Sequence, residues 1–277
     1  MAALLRQGLA ELFALVFPPR CGSCQVVLPV GEAGLCPQCA GELLGLIDRP
    51  YCGLCGQDVG PFALRPVEGS GDESAKDSRG TVRAAGLQVC GQCDEGPYRY
   101  AGLVRVGPYV EPLDRMIRQF KYHGGHFLAA LLGRWQAASL AGQSWLADVD
   151  ALAPVPLHWR RRVGRGFNQS AMLADVVAGQ VDRPIVSVLD RPVARPAQAS
   201  LPKSKRFENV RGVFAVRKAG QVRGRSFCLI DDVCTTGATL SEAARTLLAG
   251  GARRVYACVV AVAQPPVAFS QSISNSQ

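Results

Sequence analysis

Two adjacent carboxylates, Asp231 and Asp232, close a short apolar run, Phe227-Cys228-Leu229-Ile230. A loop of small residues around one glycine follows, Cys234-Thr235-Thr236-Gly237-Ala238-Thr239. Apolar residues then recur with helical period at Leu240, Ala243, Ala244, Leu247 and Leu248, and Gly250-Gly251 stops them. This is strand, loop, helix, with the loop at the carboxyl end of the strand, where open α/β sheets bind ligands. Gly237 lets a ligand approach the backbone, and amides at a helix start, with the positive dipole end behind them, suit phosphate. Thr235, Thr236 and Thr239 add hydroxyl donors. The two aspartates repel phosphate; they suit sugar hydroxyls, or a hard cation such as magnesium bridging to the ligand. A buried strand with a capped helix is the plainer alternative, but paired carboxylates ending an apolar strand are costly without a partner. Neutralising both is expected to relieve repulsion and leave folding unharmed. No Gly-Lys dipeptide exists for a Walker A loop, and Gly164-Arg165-Gly166 lacks the third glycine of a dinucleotide fingerprint.

Eight of the 11 cysteines form four pairs of one spacing: Cys21/Cys24, Cys36/Cys39, Cys52/Cys55 and Cys90/Cys93. Two thiolates from one tight turn reach one tetrahedral metal, and two such turns complete a closed site, for which zinc is the first choice. The simplest pairing is sequential, with the first four cysteines in one site and the last four in another; an interleaved pairing satisfies the same spacing. Four sulfurs and no open position make these structural sites. Disulfides are the alternative use of the pairs. The apolar N-terminal stretch is interrupted by Arg6 and Glu11 and lacks a signal-peptide cleavage pattern, and no stretch reaches the roughly 18 uncharged apolar residues of a membrane helix. The reading is a cytoplasmic protein with reduced thiols.

The elements around these groups follow from period and punctuation. The chain of 277 residues is 48% hydrophobic with a mean hydropathy of +0.10, enough for a sizeable core. Leu4, Leu5, Leu9, Leu12, Phe13 and Val16 form an amphipathic N-terminal helix. Residues 65–86 are polar and form a flexible insertion between Cys55 and Cys90. Strands are expected at Leu103–Val106, Ala151–Leu157, Ile185–Leu189, Phe214–Val216, Phe227–Asp231 and Val255–Val262. Helices are expected from Pro112, from Phe127 to Leu140, and around Met172, Leu173, Val176 and Val177. The domains are then an N-terminal helix with the cysteine module over 1–97, an α/β domain over 98–264, and a disordered tail over 265–277. The net charge of +9 favours anionic partners, phosphates or nucleic acid. Basic residues cluster at Arg160-Arg161-Arg162 with Arg165, in a glycine-containing loop between strand and helix that forms a second anion cradle, and at Lys203, Lys205, Arg206 and Arg211, in a long loop of the kind that is more often functional than idle. Lys121 is either a solvated surface lysine or a pyrophosphate ligand.

The segment Phe227–Leu240 resembles the phosphoribosyl-pyrophosphate (PRPP) motif of type I phosphoribosyltransferases. By that resemblance Asp231 and Asp232 hold the ribose hydroxyls, and Cys234, Thr235, Thr236, Gly237, Ala238 and Thr239 hold the 5′-phosphate. The chain as a whole is similar to the ComF family of competence-protein-F-like phosphoribosyltransferase homologues over about residues 10–264. That likeness rests on the cysteine ribbons, Phe120-Lys121-Tyr122, Pro154-Val155-Pro156-Leu157-His158, Arg165-Gly166-Phe167-Asn168-Gln169, Gln198, Arg206 with Asn209-Val210, and the double aspartate. Cys234 departs from it, an aliphatic residue being commoner there.

The resemblance implies a mainly parallel twisted sheet with helices on both faces, preceded by a double zinc ribbon. It also implies Mg-PRPP as ligand, with Lys121, Pro156, Arg165 and Arg206 near the pyrophosphate, and pentosyl transfer to an acceptor that no residue names. The implied biology is natural transformation: handling of incoming single-stranded DNA beside other competence proteins, including a helicase-type partner. The alternatives are a PRPP-sensing regulator without turnover and a DNA-binding adaptor.

Overall fold

A computed structural model describes residues 18–32, 34–60, 62–67, 81–93, 96–122, 127–157, 166–193 and 207–265. Helix α1, Pro37–Ile47, begins directly after Cys36 and carries Cys39, and its opening proline gives up an N–H that a first turn leaves unbonded anyway. Strands β1 (Leu64–Pro66) and β2 (Gln88–Cys90) pair antiparallel within the second ribbon. Then come β3 (Leu103–Pro108), α2 (Leu113–Tyr122), α3 (Phe127–Ala141), β4 (Ala151–Pro154), α4 (Gln169–Val181), β5 (Leu189–Asp190) and β6 (Ala215–Val216). The last three elements are β7 (Ser226–Cys234), α5 (Ala238–Ala249) and β8 (Arg254–Val262).

The main sheet is fully parallel in the order β3-β8-β7-β4. Its inner strands β7 and β8 are buried almost throughout, as strands covered on both faces must be, and so they read as continuous apolar runs rather than alternating ones. Helices flank the sheet. Helices α3 and α4 pack on each other and on the sheet, while α5 packs on β7 and β8.

Three strand expectations change. β4 stops at Pro154, because Pro154 and Pro156 bring no N–H to continue a ladder. Of Ile185–Leu189, only Ile185 bridges the sheet, beside Leu152; Leu189 pairs instead with Val216 in a separate two-stranded ribbon of β5 and β6. β7 runs on past the aspartates to Cys234, held by β8 on one side. Helix α1 had no counterpart in the reading of the sequence.

The two ribbons sit differently. Cys52, Leu54, Cys55, Val89 and Cys93 belong to the same buried cluster as the sheet, whereas Cys21, Leu28 and Cys39 form a small core of their own. The second ribbon is bonded along β3: Leu103 N–H donates to Gly53 O at 2.7 Å. Arg105, 3% exposed, donates to Gly56 O at 2.6 Å, pairs with Asp58 and lies over the Tyr51 ring. Of the expected insertion, Arg65 and Pro66 lie in β1, and Thr81 to Ala84 are buried, Ala84 N–H donating to Ala101 O at 3.0 Å; residues 68–80 lie outside the described residues. So do the N-terminal helix and 266–277 of the tail. Among the described residues no helix is long and apolar enough to cross a membrane.

Candidate functional site

The loop after β7 closes in a left-handed residue, Gly237 at φ +78°, which starts α5. A Cβ there would lie 2.6 Å from Tyr98 Cε1 and 2.9 Å from Tyr100 Oη, so glycine is required by space as well as by φ. The first helical bond runs from Ser241 N–H to Gly237 O at 2.8 Å. Ser241 Oγ donates to Pro97 O at 2.8 Å and accepts from Arg99 N–H at 3.1 Å, tying the helix start to the segment before β3. Thr235 is exposed, and Thr236 Oγ1 is buried with no hydrogen-bond partner among the described residues. A buried hydroxyl left unpaired beside a helix N-terminus is a donor waiting for an acceptor.

Both aspartates are engaged. Asp231 Oδ1 accepts from Ser170 Oγ at 2.8 Å and from Asp232 N–H at 2.9 Å. Asp232 Oδ1 lies 3.0 Å from Lys121 Nζ. All of these contacts fall on Oδ1 atoms. Burial, then the charge of Asp232, pushes the Asp231 carboxyl up to about 7, against the pull of Ser170, the Asp232 amide and Lys121. The neighbouring backbone is fixed by Gln136 of α3, whose Nε2 donates to Asp231 O at 3.2 Å and to Cys258 O at 2.8 Å. Cys234 is buried, and burial followed by the Asp231 charge pushes its thiol up to about 12, so it stays protonated. Its carbonyl accepts from Ala263 N–H at 2.9 Å.

Three stretches far apart in the chain meet here. Phe120, one residue before Lys121, packs its ring 5.9 Å from Phe167. Asn168 caps α4, accepting from Ser170 N–H at 3.2 Å, and its amide donates to Val155 O at 3.3 Å. That cap aims Ser170 at Asp231, and it anchors α4 to the chain just past β4, next to Pro156.

The cysteines form two clusters, Cys21/Cys24/Cys36/Cys39 and Cys52/Cys55/Cys90/Cys93, each with its sulfurs within 4.8 Å of one another. The geometry is sequential. Four sulfurs bound at about 2.3 Å to one zinc ion sit about 3.8 Å apart; Cys24 and Cys36 are 3.7 Å apart, Cys90 and Cys93 3.5 Å, and Cys55 and Cys90 4.0 Å. Backbone N–H groups point at the sulfurs: Cys36 at Cys21 (3.3 Å), Leu54 and Cys90 at Cys52 (3.5 and 3.3 Å). Burial opposes ionisation of Cys21, but the amides of Cys36, Ser23 and Cys24 outweigh it and bring the thiol down to about 6. Spacing and amide direction both fit a thiolate-bound metal.

Residues 12–94 match the double zinc ribbon domain, and residues 168–267 match the phosphoribosyl transferase domain. Competence protein F of Haemophilus influenzae is 27% identical over 233 residues, covering 82% of this chain and 90% of that protein. Competence protein ComFC of Bacillus subtilis is 38% identical over 150 residues, 53% of this chain and 58% of that one. DNA utilization protein YhgH of Salmonella typhimurium is 30% identical over 246 residues, 87% of this chain and 96% of the relative. The chain belongs to the ComF family.

Within this ComF-family chain the ribbon match and the two sulfur clusters support structural zinc. Asp231, Asp232, Cys234 to Thr239, Lys121 and Pro156 gather at the carboxyl ends of β4 and β7. Lys121 is neither solvated nor open: its side chain is 17% exposed and paired with Asp232. Arg165, Arg206 and the other basic residues of 158–165 and 194–206 lie outside the described residues. The sequence reading missed Ser170, Gln136 and the tyrosines. Gln136 had a signal: it is the one amide in a stripe Leu132-Gln136-Leu140, a polar group sent into a core. Ser170 follows directly on the Arg165–Gln169 motif. Tyr98 and Tyr100 carried no local signal, because only the fold brings them to Gly237.

Proposed function

We propose that this chain binds Mg-PRPP at the ends of β4 and β7. Asp231 and Asp232 take the ribose hydroxyls, and the amides and hydroxyls of Cys234 to Thr239 take the 5′-phosphate. The pyrophosphate lies toward Lys121, Pro156, Arg165 and Arg206. The observation that carries this reading is the buried Thr236 hydroxyl, without a partner among the described residues, beside the left-handed start of α5 and four residues after the adjacent carboxylates. The carboxylates are hard oxygen donors of the type magnesium accepts. Bound with the ligand, magnesium would neutralise charge building on the departing pyrophosphate.

The reaction this serves is pentosyl transfer. The bond from the anomeric carbon to pyrophosphate breaks, pyrophosphate leaves with the electron pair, a nucleophilic acceptor bonds to the carbon, and the acceptor's proton passes to water. Lys121 can turn from Asp232 toward the pyrophosphate, and Asp231 is held on the sugar by Ser170. The names of the relatives support a setting in competence and DNA utilization; within it we propose single-stranded DNA and a helicase-type protein as cytoplasmic partners. The test is PRPP consumption with pyrophosphate release, screened over free bases and single-stranded DNA as acceptors. Turnover with one acceptor supports the enzyme. PRPP binding without consumption under any acceptor moves the chain to a PRPP-sensing regulator or a DNA-binding adaptor.

A further inference from the structure

The second cysteine cluster reaches the phosphate loop through Leu54 and the Tyr100 ring, and a second route runs from Cys93 O, bonded to Gly96 N–H at 3.0 Å, to Pro97 O, bonded to Ser241 Oγ at 2.8 Å. Leu54 lies between Cys52 and Cys55; its N–H points at Cys52 Sγ at 3.5 Å, and its carbonyl accepts from Tyr100 Oη at 2.7 Å. Tyr100 is fully buried. Its ring lies 5.6 Å from that of Tyr98, and both rings wall Gly237 at the distances given above. From behind, the buried Arg83 clamps both tyrosines, donating to Tyr100 O at 2.6 Å and to Tyr98 O at 3.2 Å. Leu54 therefore has its amide on a metal-binding sulfur and its carbonyl on the ring that shapes the loop. The first cluster faces elsewhere: Gly22 abuts Leu128 of α3, and Gln119 of α2 donates to Ser23 O.

We propose that Tyr100, backed by Tyr98, is a positioning residue for the phosphate loop, and that the second cysteine cluster sets its position through Leu54. What the loop binds rests on the Mg-PRPP reading; that the loop is positioned does not. Metal on the four sulfurs fixes the turn that carries Leu54. If that turn relaxes, the buried hydroxyl of Tyr100 loses its acceptor, and the rings lose their register against a residue with no side chain to hold it. Coupling of this kind is reciprocal in affinity, so a ligand that fixes the loop tightens metal binding at the second cluster by the same factor.

The experiment is hydrogen exchange, read by mass spectrometry over Asp231–Leu240, on the full zinc-loaded chain. The wild type is compared with Tyr100→Phe and with Tyr256→Phe, which deletes another buried hydroxyl, one bonded to Asp148. Tyr100→Phe is expected to speed exchange in the loop roughly tenfold, the worth of one buried hydrogen bond and its orphaned acceptor, with zinc content unchanged; Tyr256→Phe leaves the loop as it was. Equal exchange in wild type and Tyr100→Phe, or equal loosening by both variants, overturns the proposal. A second measurement follows chelator-driven zinc release with and without Mg-PRPP. One of two release phases should slow several-fold with ligand in wild type, and not in Tyr100→Phe. Release that ignores ligand, in protein shown by calorimetry to bind PRPP, overturns the coupling. A loop that loosens in Tyr100→Phe although PRPP fails to bind supports the positioning role and removes the ligand assignment instead.

Discussion

Asp232 holds Lys121 in a pair whose side chains are 11% and 17% exposed. Among the described residues Asp231 has no such ion pair at its oxygens, and it carries a carboxyl displaced upward by burial. Neutralising the two is therefore not one experiment, as adjacent charges in the sequence suggested. Asp232→Asn strands a mostly buried ammonium and should lower unfolding free energy by about 1–3 kcal/mol; adding Lys121→Met should restore most of it, as urea unfolding of the double-mutant cycle will show. Asp231→Asn should leave stability level or raise it. With a folded pKa of about 7 against about 3.9 in the unfolded chain, Asp231 holds its proton in the native state across that interval. Its contribution to stability falls as pH climbs from about 4 to about 7, and is flat above. The difference in melting temperature between Asp231→Asn and wild type should accordingly be larger at pH 8 than at pH 5. Affinity for Mg-PRPP should rise over the same range as the carboxylate forms, which calorimetry at pH 6 and 8 can check; an affinity that falls would remove Asp231 from the sugar.

At the scale of elements, Gly237 and the cysteine turns carry the sharpest expectations. Gly237→Ala puts a methyl group into Tyr98 and Tyr100 and a side chain at φ +78°. It should cost about 1–3 kcal/mol of stability and, since the loop must move, reduce PRPP affinity by more than Thr235→Ala does at its exposed position. Metal analysis should return close to two zinc ions per chain. Cys52→Ser should unfold the chain more broadly than Cys21→Ser, because its sulfur lies in the core shared with the sheet, whereas Cys21 sits in a small cluster of its own. Elements with a full apolar face were legible in sequence: α2 from Leu113, Met116, Ile117 and Phe120, and β7 and β8 from unbroken apolar runs. The cysteine spacing revealed the clusters but hid α1, since Cys39, which shares its buried face with Leu43 and Leu46, reads as a metal ligand rather than as part of an apolar stripe. The meeting of Ser170 with Asp231 and of Tyr100 with Leu54 was not legible, because long-range partners are chosen by the packing of strands and leave no local pattern.

For the whole molecule, a net charge of +9 sets the response to polyanions. Single-stranded DNA should bind in a salt-sensitive way, with affinity dropping steeply between about 50 and 200 mM salt as counterion release is suppressed; binding undetectable at low salt in a fluorescence anisotropy titration would end the direct DNA-handling reading. The strand order adds a consequence of its own. β8 follows β3, β4 and β7 in the chain, yet it lies between β3 and β7 and pairs with both. Until Arg254–Val262 emerges, a nascent chain carries two open parallel edges, and the second ribbon, bonded to the outer strand, has no finished sheet to lean on. Assembly is then late and all at once. Such a chain depends on holding factors during translation more than its modest size suggests, and a premature stop ahead of Arg254 leaves β4 and β7 with only each other and β3 with no partner strand in the sheet.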